Sequence, residues 1–117
     1  EAKGIIVLAD PEQLTQVFNN LLKNAIQSIT SDKAGLIKVR IHKVEKEVVI
    51  EIEDNGMGIA DEFIDKLFTP NFTTKSTGMG LGLTITKNII EITGGTINFT
   101  TRKNEGTTFI ISLPADN

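Results

Sequence analysis

Apolar positions along the chain switch between a period near 3.6 and a period of two, which predicts alternating helices and strands. A short apolar run at residues 4–9, its longest stretch at 5–9, reads as a strand. Asp10, Pro11, Glu12 and Gln13 follow as a helix start. Asp10 can cap the free amides, Pro11 suits the first helical position and Gln13 has capping-box spacing. Leu14, Val17, Phe18, Leu21, Leu22, Ala25, Ile26 and Ile29 then repeat at helical spacing, predicting an amphipathic helix that ends within 28–31. Ile37, Val39 and Ile41 alternate with Lys38, Arg40 and His42, and Val48, Ile50 and Ile52 alternate with Val49, Glu51 and Glu53. These are two strands joined by a hairpin at 44–47, each with one apolar and one mostly polar face, as in a sheet covered on one side. A short helix is expected at 61–68, then a Thr-, Ser- and Gly-rich loop at 69–80. A second long helix is expected at 81–93, with Leu81, Ile85, Ile89 and Ile92 on one face and Gly94-Gly95 as its stop. A last hairpin pairs 96–101 with 107–113 through a turn at 103–106.

The order of elements predicts an α+β fold, with helices on one face of a mixed sheet and no internal linker or repeat, so that residues 1–117 form a single domain. At 117 residues and 39% hydrophobic content the chain can bury one core. No apolar run has the length of a membrane span, and no secretory signal pattern is visible. With no cysteine there is neither a disulfide framework nor a thiolate metal site, which suits a reducing compartment. The net charge of −3 and the lack of a basic stripe argue against a nucleic-acid surface. The chain opens on Glu1, and is read as part of a longer protein.

Four segments break these local rules. Asn20 and Asn24 lie four apart on the first helix, where asparagine is a poor interior residue. Their amide oxygens are hard neutral ligands suited to Mg2+, or the pair belongs to a solvated polar face with Asn19, Lys23 and Gln27. Asp54 shares strand parity with Val48, Ile50 and Ile52 and so points at the core. A carboxylate there needs a polar partner. With Gly56 and Gly58 admitting a flat ligand and Ile59 supporting it, Asp54 can accept the amine of a purine; the alternative is an Asx turn at Asp-Asn-Gly. Gly78, Gly80 and Gly82, around Met79 and Leu81, precede and enter the second long helix and can offer backbone amides to an anion, or serve only as a flexible lead-in. The spacing is neither a dinucleotide fingerprint nor a P-loop. Lys75, after Phe68 and Phe72, is either a phosphate-neutralising lysine on a lid or an ordinary surface lysine.

Taken in order, these segments resemble the N, G1, F and G2 boxes of the GHKL superfamily, which includes gyrase, Hsp90, histidine kinases and MutL. Residues 20–25 resemble the N box, 54–59 the G1 box, 68–75 the F box and 78–83 the G2 box, and Gly106-Thr107-Thr108-Phe109 resembles the start of the family's last strand. Within the superfamily the chain is most similar to the catalytic ATP-binding domain of bacterial two-component sensor histidine kinases. The ATP hydrolases usually carry a glutamate general base where this chain has Asn20. One departure is that many sensor kinases have Lys and an aromatic residue where this chain has Gln27 and Ser28.

The resemblance implies a two-layer α/β sandwich of the Bergerat type, its sheet covered on one face by about three helices. It implies that ATP and Mg2+ bind, with Asn24 on the metal and Asn20 beside it and the phosphates. Asp54 would hold the adenine amine with Gly56, Gly58 and Ile59 around the base and Thr107 acting through water. Phe68 and Leu81 would border the nucleotide, while Gly78, Gly80 and Gly82 allow lid closure and Lys75 reaches the γ-phosphate. The reaction implied is transfer of that phosphoryl group to a histidine on a separate dimerisation domain, with Asn20 and Lys75 catalytic and a response regulator engaged through that domain. It also implies a homodimeric parent, and a cytoplasmic domain that touches neither membrane nor nucleic acid, whether or not the parent is membrane-anchored. An ATP sensor without phosphotransfer and an ATP hydrolase are the competing activities. His42 shares parity with Lys38 and Arg40 and is expected on the surface, not as the acceptor.

Overall fold

The computed structural model describes residues 7, 9–29, 34–65, 67, 68 and 81–115, with backbone alone at 81 and 82. Its elements run α1 (Pro11–Ser28), β1 (Ile37–Val44), β2 (Glu47–Asp54), α2 (Asp61–Ile64), α3 (Leu81–Ile92), β3 (Thr96–Arg102) and β4 (Gly106–Pro114). The helix start falls where the capping residues put it. Asp10 Oδ1 accepts the Glu12 amide at 2.9 Å and the Gln13 amide at 3.4 Å, and Pro11 occupies the first turn, where its missing N–H costs nothing. At the far end of α3 the Gly94 amide reaches the Glu91 carbonyl at 3.0 Å and the Gly95 amide the Ile90 carbonyl at 2.8 Å, the paired bonds of a Schellman stop. The helix expected at 61–68 is regular only over Asp61–Ile64.

The four strands lie in the order β1-β2-β4-β3. The expected mixed sheet is antiparallel at every pairing among the described residues. The two outer pairs are hairpins, and the chain leaving β2 crosses the helical layer and returns through the β3–β4 hairpin with β4 reversed against β2. Val7 adds an antiparallel bridge to Ala115; the rest of the strand expected at 4–6 and 8 lies outside the described residues.

The core is built in cross-strand rows on the face under the helices. Ile50, Ile111 and Ile97 form one row, and Ile52, Phe109 and Phe99 the next. Val17 and Leu21 of α1 and Leu83, Ile89 and Ile90 of α3 close over them. Fully burying such a side chain is worth about 1.5–3 kcal/mol.

Three sequence expectations shift. The buried stripe of α3 is Leu83, Thr86, Ile89 and Ile90, while Ile85 is 40% and Ile92 76% exposed. The helix is apolar on more than one side, so helical spacing fits either stripe. Ile26, expected inside, is 63% exposed, because α1 turns Asn24, Ala25 and Ser28 inward instead. The apolar positions of β1 are also uncovered, with Val39 52% and Ile41 40% exposed. α1 packs over β2 and β4 and α3 over β3, leaving edge strand β1 beyond the helical layer.

Candidate functional site

The hydrophobic rows end in a polar one. Asp54 of β2 pairs in register with Thr107 of β4, which pairs with Thr101 of β3. All three stand at core parity. Asp54 is 6% and Thr107 4% exposed. Oδ1 of Asp54 accepts the Gly56 amide at 2.8 Å and the Thr107 amide at 3.3 Å. The first contact is an Asx turn, one of the two readings of this residue, and Asp54 stands in the interior as its strand parity predicts. No hydrogen bond reaches Oδ2 among the described residues, which leaves one carboxylate oxygen with acceptor capacity to spare.

The loop from Asp54 to Ile59 is clamped on two sides. The Met57 amide donates to the Ser28 carbonyl at 2.9 Å, fixing the loop to the end of α1. On the other side the Asn104 amide donates to the Met57 carbonyl at 2.7 Å, fixing it to the β3–β4 turn. Gly56 and Gly58 make these approaches possible. A Cβ on Gly56 would overlap Ser28, and Gly58, at φ 75°, would collide with the Arg102 carbonyl. What these two glycines make room for is therefore protein backbone. Asn55, between them and Asp54, pins the entry to β1: its Oδ1 accepts the Leu36 amide and its Nδ2 donates to the Ala34 carbonyl, both at 2.9 Å.

Asn20, Asn24 and Ser28 form one stripe down α1, four residues apart. Asn19, Lys23 and Gln27 are exposed, but Asn24 is only 5% exposed, so the solvated-face reading fails for it. Asn20 Nδ2 donates to Oγ1 of the fully buried Thr86 on α3 at 3.3 Å. Asn24 Nδ2 is buried without a hydrogen-bond partner among the described residues. An unmet amide in an interior costs about 1–3 kcal/mol, a cost natural sequences rarely carry without a reason outside the fold itself. The stripe thus runs from α3 at Thr86 to the 54–59 loop at Gly56.

Ile59 is buried in the core. Phe68 stacks edge-on to Phe99 with ring centroids 6.0 Å apart, and Lys87 Nζ lies 5.4 Å above its ring. Lys75, Gly78 and Gly80 lie outside the described residues, and the side-chain surroundings of Leu81 and Gly82 do too. Sequence reasoning missed Thr101, Thr86 and Ser28. For Thr101 the signal was present: a polar residue at the parity of Ile97 and Phe99, the same pattern that singled out Asp54.

A cleft of about 450 Å³ opens where the sheet ends, lined among others by Glu53, Asp54, Thr101, Arg102, Glu105 and Thr107. Glu53, Asp54 and Glu105 outnumber Arg102 on its walls, a net negative lining that disfavours phosphate and suits a neutral part of a ligand. On the outer face Arg40 meets Glu51 and Glu53 at 2.9 Å each, and hydrogen bonding to Glu51, then to Glu53, raises its pKa. Solvent screening leaves so exposed a cluster little weight in stability. His42 is exposed on the same face, as expected.

Residues 9–117 match the family model described as histidine kinase-, DNA gyrase B- and HSP90-like ATPase. The sensor histidine kinase ZraS of Escherichia coli K12 is 44% identical over 110 residues, spanning 94% of this chain and 23% of that protein. Sporulation kinase B of Bacillus subtilis is 39% identical over 112 residues, spanning 96% of this chain and 26% of that protein. This chain therefore spans about a quarter of the length of either relative. Among solved structures, the nucleotide-free catalytic domain of histidine kinase ThkA superposes with a TM-score of 0.80 at 38% identity, over 92% of this chain and 71% of that one.

Proposed function

The chain belongs to the histidine kinase-, DNA gyrase B- and HSP90-like ATPase family, and on that premise we propose that it is the ATP-binding half of a sensor kinase. In this reading it binds Mg-ATP and passes the γ-phosphoryl group to a histidine on a separate dimerisation domain. The response regulator is then engaged through that domain, in a homodimeric parent whose catalytic part lies in the cytoplasm. No described helix is long and apolar enough to cross a membrane.

The observation that carries the reading is Asp54. Its Oδ1 is occupied by two backbone amides while Oδ2 keeps its lone pairs, at the end of cross-strand rows that are otherwise apolar. That is an acceptor fixed in direction at the wall of the cleft, which suits recognition of a purine amine. Gly56 and Gly58 serve the base indirectly, by letting the loop that carries Asp54 and Ile59 pack tightly.

The asparagines suit the other end of the nucleotide. Asn24 is buried with its Nδ2 unpartnered among the described residues, and its carbonyl oxygen would be the hard neutral donor that Mg2+ accepts. Among the described residues no group of three His, Cys, Asp or Glu is gathered for a metal, which fits an ion that arrives with phosphate and water as its other ligands. Such an ion would neutralise charge on the phosphates. Asn20, tethered to Thr86, places an amide and no carboxylate beside them, so no general base is set to activate water. What remains for the protein is positioning, the main demand of phosphoryl transfer. Lys75 and the glycines 78, 80 and 82 would complete the phosphate end, with Phe68 and Leu81 at its border.

Asp54→Asn tests the base site. The amides of Gly56 and Thr107 hold an oxygen at Oδ1, so the new NH2 must take the Oδ2 position and face the purine amine donor to donor. A mismatched buried contact costs roughly 1–3 kcal/mol, or about 5- to 150-fold in affinity. Calorimetric titration with ADP should show that loss, and unchanged affinity would remove Asp54 from the base site.

A further inference from the structure

Among the described residues of α3, Thr86 is the one polar side chain in the buried stripe, where Leu83, Ile89 and Ile90 are its companions. It is fully buried. A hydroxyl in such a place costs free energy unless a partner meets it, and valine has the same branched shape without that cost. The partner is on α1, where Nδ2 of Asn20 donates to Oγ1 of Thr86 at 3.3 Å. An amide NH2 can only donate, so Thr86 takes part through a lone pair, and the contact stands wherever the Thr86 proton points. The bond thus fixes which prong of the Asn20 amide meets α3. With the nitrogen held there, the carbonyl oxygen is the prong turned away from Thr86. Asn20 is only half-buried, so its NH2 can exchange this bond for water, and the fold has little need of it.

We propose that Thr86 is a positioning residue for the phosphate end of the site: by holding the Asn20 amide through its nitrogen, it makes Asn20 meet the ligand with a carbonyl oxygen rather than an NH2. The two prongs select different chemistry. A neutral amide oxygen accepts from metal-bound water or binds Mg2+ itself, whereas an NH2 donates to a bare phosphate oxygen. Held in this sense, Asn20 favours a nucleotide that arrives with its metal over one that arrives without. Released, the side chain can turn its NH2 to the phosphates, and that discrimination weakens. Thr86 acts here through Asn20 and not by touching the ligand. The inference rests on the reading of Asn20 as standing beside the metal and the phosphates, and the controls keep the two apart.

The test titrates the chain with ATP, once in Mg2+ and once in EDTA, as wild type, Thr86→Val, Thr86→Ser, Asn20→Ala and the double variant with Asn20→Ala and Thr86→Val. Valine keeps the shape and removes the acceptor; serine keeps the hydroxyl. Thr86→Val should lose roughly five-fold in affinity for Mg-ATP with a smaller change for ATP in EDTA, so that the enhancement given by Mg2+ falls. Thr86→Ser should keep the wild-type enhancement, which a role in packing alone would not require. In the Asn20→Ala background, Thr86→Val should change the enhancement no further, because Thr86 acts through Asn20. A Thr86→Val protein with wild-type enhancement overturns the proposal, as does an equal loss with and without Mg2+, a folded serine variant that loses the enhancement, or a further fall in the double variant. If Thr86→Val does not fold, Thr86→Ala is read by the same ratio. A full enhancement in Asn20→Ala would sink the placement of Asn20 beside the metal, a result separate from the comparison of Thr86→Val with wild type.

Discussion

Asp54 and Asn24 are both polar and both interior, but the fold satisfies them differently. Asp54 is turned into a fixed acceptor by two amides on one oxygen, whereas Asn24 has a buried donor that meets no partner among the described residues. A residue kept for folding alone would show the first pattern and avoid the second. Asn24→Ala should therefore change the stability of the nucleotide-free chain by no more than about 1 kcal/mol, since the lost packing is offset by relief of the unmet amide. The same variant should lose most of the enhancement that Mg2+ gives to ATP binding. Paired titrations with and without Mg2+ check this, and a full enhancement in the variant would mean that Asn24 is not a ligand. Of the two residues, Asp54 was the more legible in sequence, because strand parity is a strict rule and a carboxylate at an apolar position violates it openly. Asn24 was ambiguous, because a helix turns through polar and apolar sides within four residues and its neighbours Asn19, Lys23 and Gln27 are polar as well. The glycines of the 54–59 loop were legible as special, but their purpose was not: the backbone of Ser28 and Arg102 that they accommodate lies far off in sequence.

At the level of elements, sequence pattern located every described helix and strand, and local rules explain why. Capping at Asp10, alternation in β2 and the double glycine after α3 act within a few residues. What pattern could not give was which side of an element is covered, since that depends on neighbours. α3 carries isoleucines at 85, 89, 90 and 92, and only the packing against the sheet decides that Ile90 is fully buried and Ile92 is not. Ile90→Ala should accordingly destabilise the chain by about 2–5 kcal/mol, and Ile92→Ala by less than about 1 kcal/mol. Denaturant melts of the two variants distinguish them; equal losses would restore the stripe read from spacing. In the same way β1 alternates as cleanly as β2, yet its apolar side is exposed because the helical layer stops over β2.

At the scale of the whole molecule, the proposed site has two ends, one on the sheet and one on α1. The polar row closes the hydrophobic layer at Asp54, Thr107 and Thr101, while the stripe Asn20, Asn24 and Ser28 carries the site along the helix toward α3. His42 is on the opposite, solvent-facing side of an edge strand and has no route to this site without rupture of the sheet. On the proposed function the chain binds and orients a nucleotide, and the acceptor histidine is on another domain, not at His42. The direct measurement incubates the chain with γ-labelled ATP and Mg2+, first alone and then with the helical dimerisation domain of its own parent. The account predicts no label on this chain, slow phosphate release without acceptor, and acid-labile, base-stable label on the added domain. Label on His42, rapid phosphate release by the chain alone, or nucleotide binding with no transfer to the added domain would contradict it.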